Sequence, residues 1–195
     1  MHKLFCIIGR TGSGKSTLTK KVADELGLKI LKSYTTRPMR VNETAENSDH
    51  IFISPEEVEK YRDDMVAYTE RVNYCSFATK QQIMESDFYI INPSGYYELC
   101  EKTKDMDIDL IPIDIVTSFV EIMKRILPRG ECEVWMSNCI KEDKEFRDYE
   151  RKYFPRYFVG NEGNIENALS IFREIIIEEF KNPGSEPKIS CIKIQ

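Results

Sequence analysis

Gly9-Arg10-Thr11-Gly12-Ser13-Gly14-Lys15-Ser16-Thr17 satisfies the pattern G-x-x-x-x-G-K-[ST] at every fixed position. Each residue type has a physical use. Glycines let backbone N–H groups wrap a polyphosphate, Lys15 places a point charge on its terminal oxygens, and the Ser16 hydroxyl is suited to hold Mg²⁺. The flanks agree with that reading. Residues 4–8, Leu-Phe-Cys-Ile-Ile, form a short apolar run of the kind found in doubly buried parallel strands, and residues 16–26 carry helical apolar spacing at Leu18, Val22 and Leu26. The loop is therefore expected between a strand and a helix, where the positive end of the helix dipole adds to the loop amides.

Composition narrows the class. A chain of 195 residues holds one good core with small inserted subdomains. Its formal net charge of −5 lacks the basic footprint that drives binding to nucleic-acid polymers or anionic membranes. No apolar run approaches the roughly 18 residues of a membrane span, and Met1-His2-Lys3 leads directly into the first strand, so a cytoplasmic location is expected. The six cysteines, Cys6, Cys75, Cys100, Cys132, Cys139 and Cys191, show no C-x-x-C pairing and are read as reduced thiols.

After Gly27, residues 28–31 read as a second strand, and Pro38 keeps 33–40 irregular. A strand is expected at 50–53, then a helix from Pro55 to about Asp64 capped by Ser54, a loosely alternating strand at 65–72 and a short helix from Thr79 or Lys80 to Glu85. Residues 88–92 form another continuous strand run, 93–104 a helix, and 108–115 a strand in which Pro112 suggests an end or an irregular edge. Ser118 opens a helix with an apolar stripe at Val120, Ile122, Met123, Ile126 and Leu127, stopped by Pro128 and Gly130. Charges of both signs dominate 131–153, as in a solvent-facing helix; 157–159 is a strand, 165–180 a closing helix, and 188–195 a weakly alternating tail. Strands alternating with helices predict an α/β fold, a parallel sheet covered by helices on both faces, with ligands at the carboxyl ends of its strands. One domain around the phosphate loop is expected: a core of about 1–32, 88–128 and 153–181, an insertion at about 33–87 and a charged segment at about 129–152 that could both hang over the ligand edge, and a tail at 182–195.

With those motifs in order, the chain resembles the guanylate kinase family of P-loop nucleoside-monophosphate kinases from Leu4 to Ile177. Ser33-x-Thr35-Thr36-Arg37-Pro38-x-Arg40-x-x-Glu43 is similar to the family's acceptor-phosphate segment, and Asp49-His50-Ile51-Phe52 falls where the family has Asp-Tyr-x-Phe. Phe77-Ala78-Thr79 stands where it has Tyr-Gly-Thr or Tyr-Gly-Ser. Arg125-Ile126-Leu127-Pro128-Arg129-Gly130 matches its lid entry, and Val159-Gly160-Asn161-Glu162 its Val-x-Asn-Asp stretch.

The resemblance implies ATP and Mg²⁺ as cofactors and a phosphorylated small molecule as acceptor, GMP or dGMP first, with the protein a monomer or homodimer. It implies that Gly12, Ser13, Gly14, Lys15, Ser16 and Thr17 hold the donor phosphates, with the metal at Ser16, and that Asn161 contacts the donor's adenine. Lys15, Arg37, Arg40, Arg125 and Arg129 would neutralise the transferring phosphoryl group. Ser33, Arg37, Arg40, Glu43 and His50 would hold the acceptor phosphate end, with His50 and Phe77 replacing two family tyrosines. The family's guanine-reading carboxylates align with Tyr68, Ile90 and Asn92, none of which is acidic; Glu70, Thr79 and Asn92 are the residues left to read a base. Two rival functions stand beside this one: a kinase of another phosphorylated small molecule such as a sugar bisphosphate, and a guanylate kinase-like binding module without catalysis. Taken singly, Arg125 and Arg129 also suit a helix end and Asn161 a turn.

Overall fold

Leu4, Phe5, Cys6, Ile7 and Ile8 are each 0 % exposed, as a strand covered on both faces requires. They belong to β1 (His2–Ile8), which runs into the glycine-rich loop and then α1 (Lys15–Leu26). In the computed structural model, residues 1–39, 43–71, 73–129, 145–149 and 155–181 are described. The remaining strands are β2 (Ser33–Thr35), β3 (His50–Phe52), β4 (Met65–Arg71), β5 (Tyr74–Thr79), β6 (Phe88–Ile90), β7 (Ile108–Val116) and β8 (Tyr157–Gly160). The helices are α2 (Lys80–Met84), α3 (Pro93–Lys102), α4 (Phe119–Ile126) and α5 (Ile165–Lys181). Four strands form a parallel sheet in the order β6-β1-β7-β8, flanked by helices, and four form a second sheet in the order β3-β2-β5-β4. The α/β architecture expected from the alternating pattern, a parallel sheet flanked by helices, is present. The chain divides into two compact units, Met1–Cys6 with Leu28–Leu110, and Ile7–Gly27 with Ile111–Gln195.

In the second unit, α1 buries Leu18, Thr19, Val22 and Ala23 and ends at Gly27, whose N–H returns to the Ala23 carbonyl. α5 buries Ala168, Leu169, Phe172, Ile175 and Ile176 and packs against α1, with Arg173 donating to Glu25 at 2.7 Å. β7 and β8 run parallel, from Ile113 opposite Tyr157 to Val116 opposite Gly160. Pro112 does not end β7, contrary to expectation. The β8 pairing begins one residue later, at Ile113, and the Pro112 carbonyl accepts from the Arg156 N–H at 3.0 Å, so the missing proline N–H falls just outside the ladder.

The first unit departs more from the sequence reading. The strand expected at 28–31 is a single bridge between Ile30 and Phe88; pairing resumes at β2, inside the stretch expected to be irregular, and in the other sheet. β5 was not anticipated. It pairs with both β2 and β4, and these cross-strand bonds, absent from any local pattern, hold Tyr74–Thr79 extended. The segment Pro55–Asp64 has the expected Ser54 and Glu57 capping box and first-turn proline but winds as a 3-10 helix. None of its residues is buried, so no apolar stripe selects the α-helical period. The solvent-facing expectation for 131–153 also needs correction where residues are described: in 145–149 Phe146 is 6 % and Tyr149 0 % exposed, with Tyr149 donating to Asp114 at 3.1 Å. The spacing of two aromatics three apart, on one helical face, was hidden among charges. The rest of that stretch, the Arg40 region and the tail lie outside the described residues.

On α3, burial holds the Glu98 carboxyl above its ordinary value of 4.5, outweighing the opposite pull of Lys102. Its Oε2 is buried without a hydrogen-bond partner. The folded chain thus binds this proton more tightly than the unfolded one, and the stability linked to it is present at low pH and lost as pH rises from 4.5 through the raised value. Because Glu98 is partly solvated, the effect is under about 1 kcal/mol. Glu98→Gln is expected to raise Tm at pH 7.5 and leave it unchanged at pH 4. An equal shift at both pH values would rule out this linkage.

Candidate functional site

The donor side of the candidate site lies in the second unit, where β1 gives way to the loop. Gly9 has no room for a side chain: a Cβ there would sit 2.6 Å from the Ile115 carbonyl oxygen. Gly14, at φ +93°, is in the left-handed region, and a Cβ on it would overlap the Asn161 amide. Lys15 crosses the loop from the first turn of α1, its Nζ donating to the carbonyls of Gly9 at 2.5 Å and Arg10 at 2.9 Å. Ser13 is 1 % exposed and its Oγ is buried without a partner. Arg10 lays its guanidinium over the Phe146 ring, 4.8 Å from the centroid.

Around this loop a cavity of about 390 Å³ is lined by Gly12, Gly14, Lys15, Ser16, Thr17, Glu121, Arg125, Asn161, Gly163 and Ile165. Of the donor-site residues singled out in the sequence, Gly12, Gly14, Lys15, Ser16, Thr17, Arg125 and Asn161 border it and the buried Ser13 does not; Arg129 ends the 3-10 turn Leu127–Arg129, its side chain outside the described residues. Arg125, on α4, donates to the Asn161 carbonyl at 2.7 Å and to the Ser13 carbonyl at 3.2 Å, and its guanidinium lies 3.3 Å from the Glu121 carboxylate. Asn161, at the end of β8, is 3 % exposed and gives its Nδ2 to the same Ser13 carbonyl at 2.7 Å. Thr117, from the β7–α4 turn, donates its hydroxyl there as well, at 3.1 Å.

The sequence reading passed over Thr117 and Glu121. Ser118-x-x-Glu121 is the signature of a helix start, and Ser118 does cap α4, accepting from the Glu121 N–H at 3.3 Å. Glu162 accepts from both the backbone N–H and the hydroxyl of Ser118. The start of α4 is thereby tied to the end of β8.

The acceptor-phosphate candidates lie in the first unit, on the second sheet. β2 and β3 run parallel, Ser33 opposite His50 and Thr35 opposite Phe52, so these four side chains share one face. Ser33 Oγ and His50 Nδ1 are 2.9 Å apart, as are the hydroxyls of Thr35 and Ser76. Arg37, just past β2, forms a two-pronged ion pair with Glu43 at 2.8 and 2.9 Å and lies over the Phe52 ring. The Ser48 hydroxyl donates to the same carboxylate at 2.8 Å. The Arg37 and Glu43 side chains are 12 % and 15 % exposed, so the fork is held in a partly dry setting. Phe77 takes the opposite face, fully buried against Tyr34 and Tyr61 at 5.3 and 5.7 Å between centroids.

The base-reading candidates are arranged less uniformly. A bulge in β4 places Ala67 and Tyr68 opposite Phe77, shifting the register by one residue; Ala67, at φ +55°, takes the strain. Beyond the bulge Glu70 lies opposite Cys75 and is exposed. Thr79 caps α2, its hydroxyl accepting from the Gln82 N–H at 3.2 Å while the Gln82 side chain accepts from the Thr79 N–H at 3.0 Å. Asn92 caps α3, its amide oxygen accepting from the Gly95 N–H at 3.2 Å and its Nδ2 donating to Ser94. Thr79→Ala is expected to cost about 1 kcal/mol and a few degrees of Tm, with Thr79→Ser near wild type; equal melting of all three would remove the cap from the account.

Cys6, Cys75 and Cys100 are free thiols, and burial pushes those of Cys6 and Cys100 up, away from reactivity. Cys132, Cys139 and Cys191 lie outside the described residues. Among the described residues no helix is long and apolar enough to cross a membrane, and no three His, Cys, Asp or Glu side chains converge to hold a metal.

Comparison with known proteins points one way. No family model matches the chain. It is similar to a guanylate kinase from Fusobacterium nucleatum subsp. nucleatum, 28 % identical over 180 residues that span 89 % of this chain and 95 % of that one. Its fold is similar to that in the crystal structure of guanylate kinase from Anaplasma phagocytophilum, with a TM-score of 0.58 and 18 % identity over 93 % of this chain and 88 % of the other.

Proposed function

Taking as premise the resemblance to the guanylate kinase family, which the curated relative and the solved fold both support, we propose that this chain is a nucleoside-monophosphate kinase. It moves the γ-phosphoryl group of ATP onto the phosphate of a nucleoside monophosphate, GMP or dGMP first. The observation that carries this reading is the cavity at the loop. A glycine cradle, the Lys15 ammonium, the Ser16 and Thr17 hydroxyls and the Arg125 guanidinium form a surface of donors and positive charge that suits a polyphosphate.

An oxygen of the acceptor phosphate attacks the γ-phosphorus, the bond to the β–γ bridging oxygen breaks, and ADP leaves with that electron pair. No side-chain nucleophile is needed, so the protein acts by alignment and charge neutralisation. Lys15 leaves its two loop carbonyls for the donor's terminal oxygens. Arg125 lends its charge from the cavity wall, and Arg129 follows it on the lid entry. Arg37, fixed by Glu43, presents its remaining donor edge with Ser33 and His50 to the acceptor phosphate, and Arg40 joins it from the same segment. Mg²⁺ bound with ATP would supply a Lewis acid for the phosphate oxygens, and Ser16 on the cavity wall would be the protein oxygen to hold it.

A second reading, a kinase of a different phosphorylated small molecule, is favoured by the base end. There Glu70 is exposed, and Thr79 and Asn92 both serve as helix caps. A coupled ADP-release assay with ATP and Mg²⁺ against a panel of ribo- and deoxyribonucleoside monophosphates and phosphorylated sugars separates the two. Turnover with GMP or dGMP supports the first reading, and turnover confined to a phosphorylated sugar the second. No turnover with any acceptor, together with no ATP binding, would return the chain to the binding-module class.

A further inference from the structure

The Ser13 carbonyl oxygen receives three donors from three separate elements: Asn161 Nδ2 at 2.7 Å, Thr117 Oγ1 at 3.1 Å and Arg125 NH1 at 3.2 Å. Two would satisfy a carbonyl's lone pairs. The donors are braced against one another. Arg125 also donates to the Asn161 carbonyl at 2.7 Å, and the Asn161 N–H donates to the Val116 carbonyl at 2.8 Å. The Thr117 hydroxyl lies 3.5 Å from the Asn161 carbonyl, so its single hydrogen serves Ser13, the nearer acceptor.

Building on the phosphate-binding reading of this loop, we propose that Thr117, with Arg125 and Asn161, is a positioning residue for the donor phosphates. The three hold the Ser13–Gly14 peptide in one orientation and strengthen its N–H as a phosphate donor. A peptide bond is planar and trans, so its C=O and N–H point in opposite directions. Pinning the Ser13 oxygen toward Thr117, Arg125 and Asn161 therefore aims the Gly14 N–H away from them, toward the interior of the cradle. Left alone, this peptide would turn over easily, because Gly14 tolerates both signs of φ. Three donors on the oxygen, one of them cationic, also polarise the amide and make its N–H a better donor to an anion. The close approach of Asn161 to Gly14 is the same device seen from the other side. Thr117, which does not border the cavity, acts in this way without touching the nucleotide, whereas Arg125 and Asn161 also line it.

The test uses the full chain and measures the affinities of ATP and of adenosine without acceptor, beside Tm. Thr117→Val removes the hydroxyl at nearly constant shape, and Thr117→Ser retains it. ATP affinity is expected to fall about fivefold to tenfold in Thr117→Val, the worth of one hydrogen bond, while adenosine affinity stays within about twofold and Thr117→Ser restores ATP binding. Thr117→Ala, which also removes the hydroxyl, is expected to weaken ATP in the same selective way should Thr117→Val fold poorly. A lowered Tm with unchanged ATP affinity, or equal weakening of ATP and adenosine, would overturn the positioning role. Failure of the kinase reading shows elsewhere, as a wild-type chain that binds ATP no better than adenosine, and it would overturn both.

Discussion

Lys15→Ala is expected to lower turnover by about a thousandfold or more, beyond the loss from one neutral oxyanion donor because a full charge is removed. The Lys15 ammonium contacts two carbonyls of its own loop, 2.5 and 2.9 Å away, and on the proposed function those contacts are exchanged for phosphate oxygens when the donor binds. Among the described residues, the other cation lining the cavity, Arg125, is held in its own place by Ser13, Asn161 and Glu121. Because Lys15 is only half-buried and its partners are carbonyls that solvent can satisfy, Tm should move by no more than a few degrees. Single-turnover phosphoryl transfer in a folded Lys15→Ala protein within tenfold of wild type would defeat the phosphoryl-transfer account.

The second large effect belongs to Arg37. Arg37→Ala is expected to raise KM for the acceptor about a hundredfold while KM for ATP stays within about threefold, the signature of a group that holds one substrate only. It should also cost about 3 kcal/mol of stability, because Glu43 would be left partly buried with its carboxylate unpaired from the fork. Arg37→Lys separates the two effects. It keeps the charge, recovers most of the stability, and still loses the planar guanidinium that grips Glu43 and, on the proposed function, leaves an edge for phosphate, so acceptor KM should remain raised by about tenfold. A mutant series in which ATP and acceptor KM rise together would place Arg37 in general scaffolding and not at the acceptor.

Both expectations rest on features that differ in how far they can be read from the chain. The loop and its neighbours are local chemistry. The pattern from Gly9 to Thr17 demands particular backbone conformations, and the apolar run before it and the helical spacing after it follow from periodicity, which side-chain direction alone dictates. For the same reason α1, α3, α4, the capped end at Ser54 and the long closing helix were legible, and so was the α/β class. Pairing was not. Whether residues 28–31 or 33–35 form the strand, and that Tyr74–Thr79 is a strand at all, depends on hydrogen bonds to segments far away in the chain, which no window of sequence contains. Pro112 misled because a proline is excluded from a ladder only where its missing N–H is needed, and the start of β8 decides that.

The site divides in the same way. Lys15 and Ser16 were visible as residue types at fixed spacings, because a polyphosphate demands a cation and glycines whatever surrounds them, and Arg37 through the family resemblance; that Glu43, expected at the acceptor phosphate, instead pairs with Arg37 came from the structure. That Thr79 and Asn92 are caps, that Phe77 turns into an aromatic cluster, and that Thr117, Arg125 and Asn161 meet on one carbonyl were decided by tertiary structure. A hydroxyl or an amide has several possible partners, and only the chain's path through space determines which of them lies within hydrogen-bond reach.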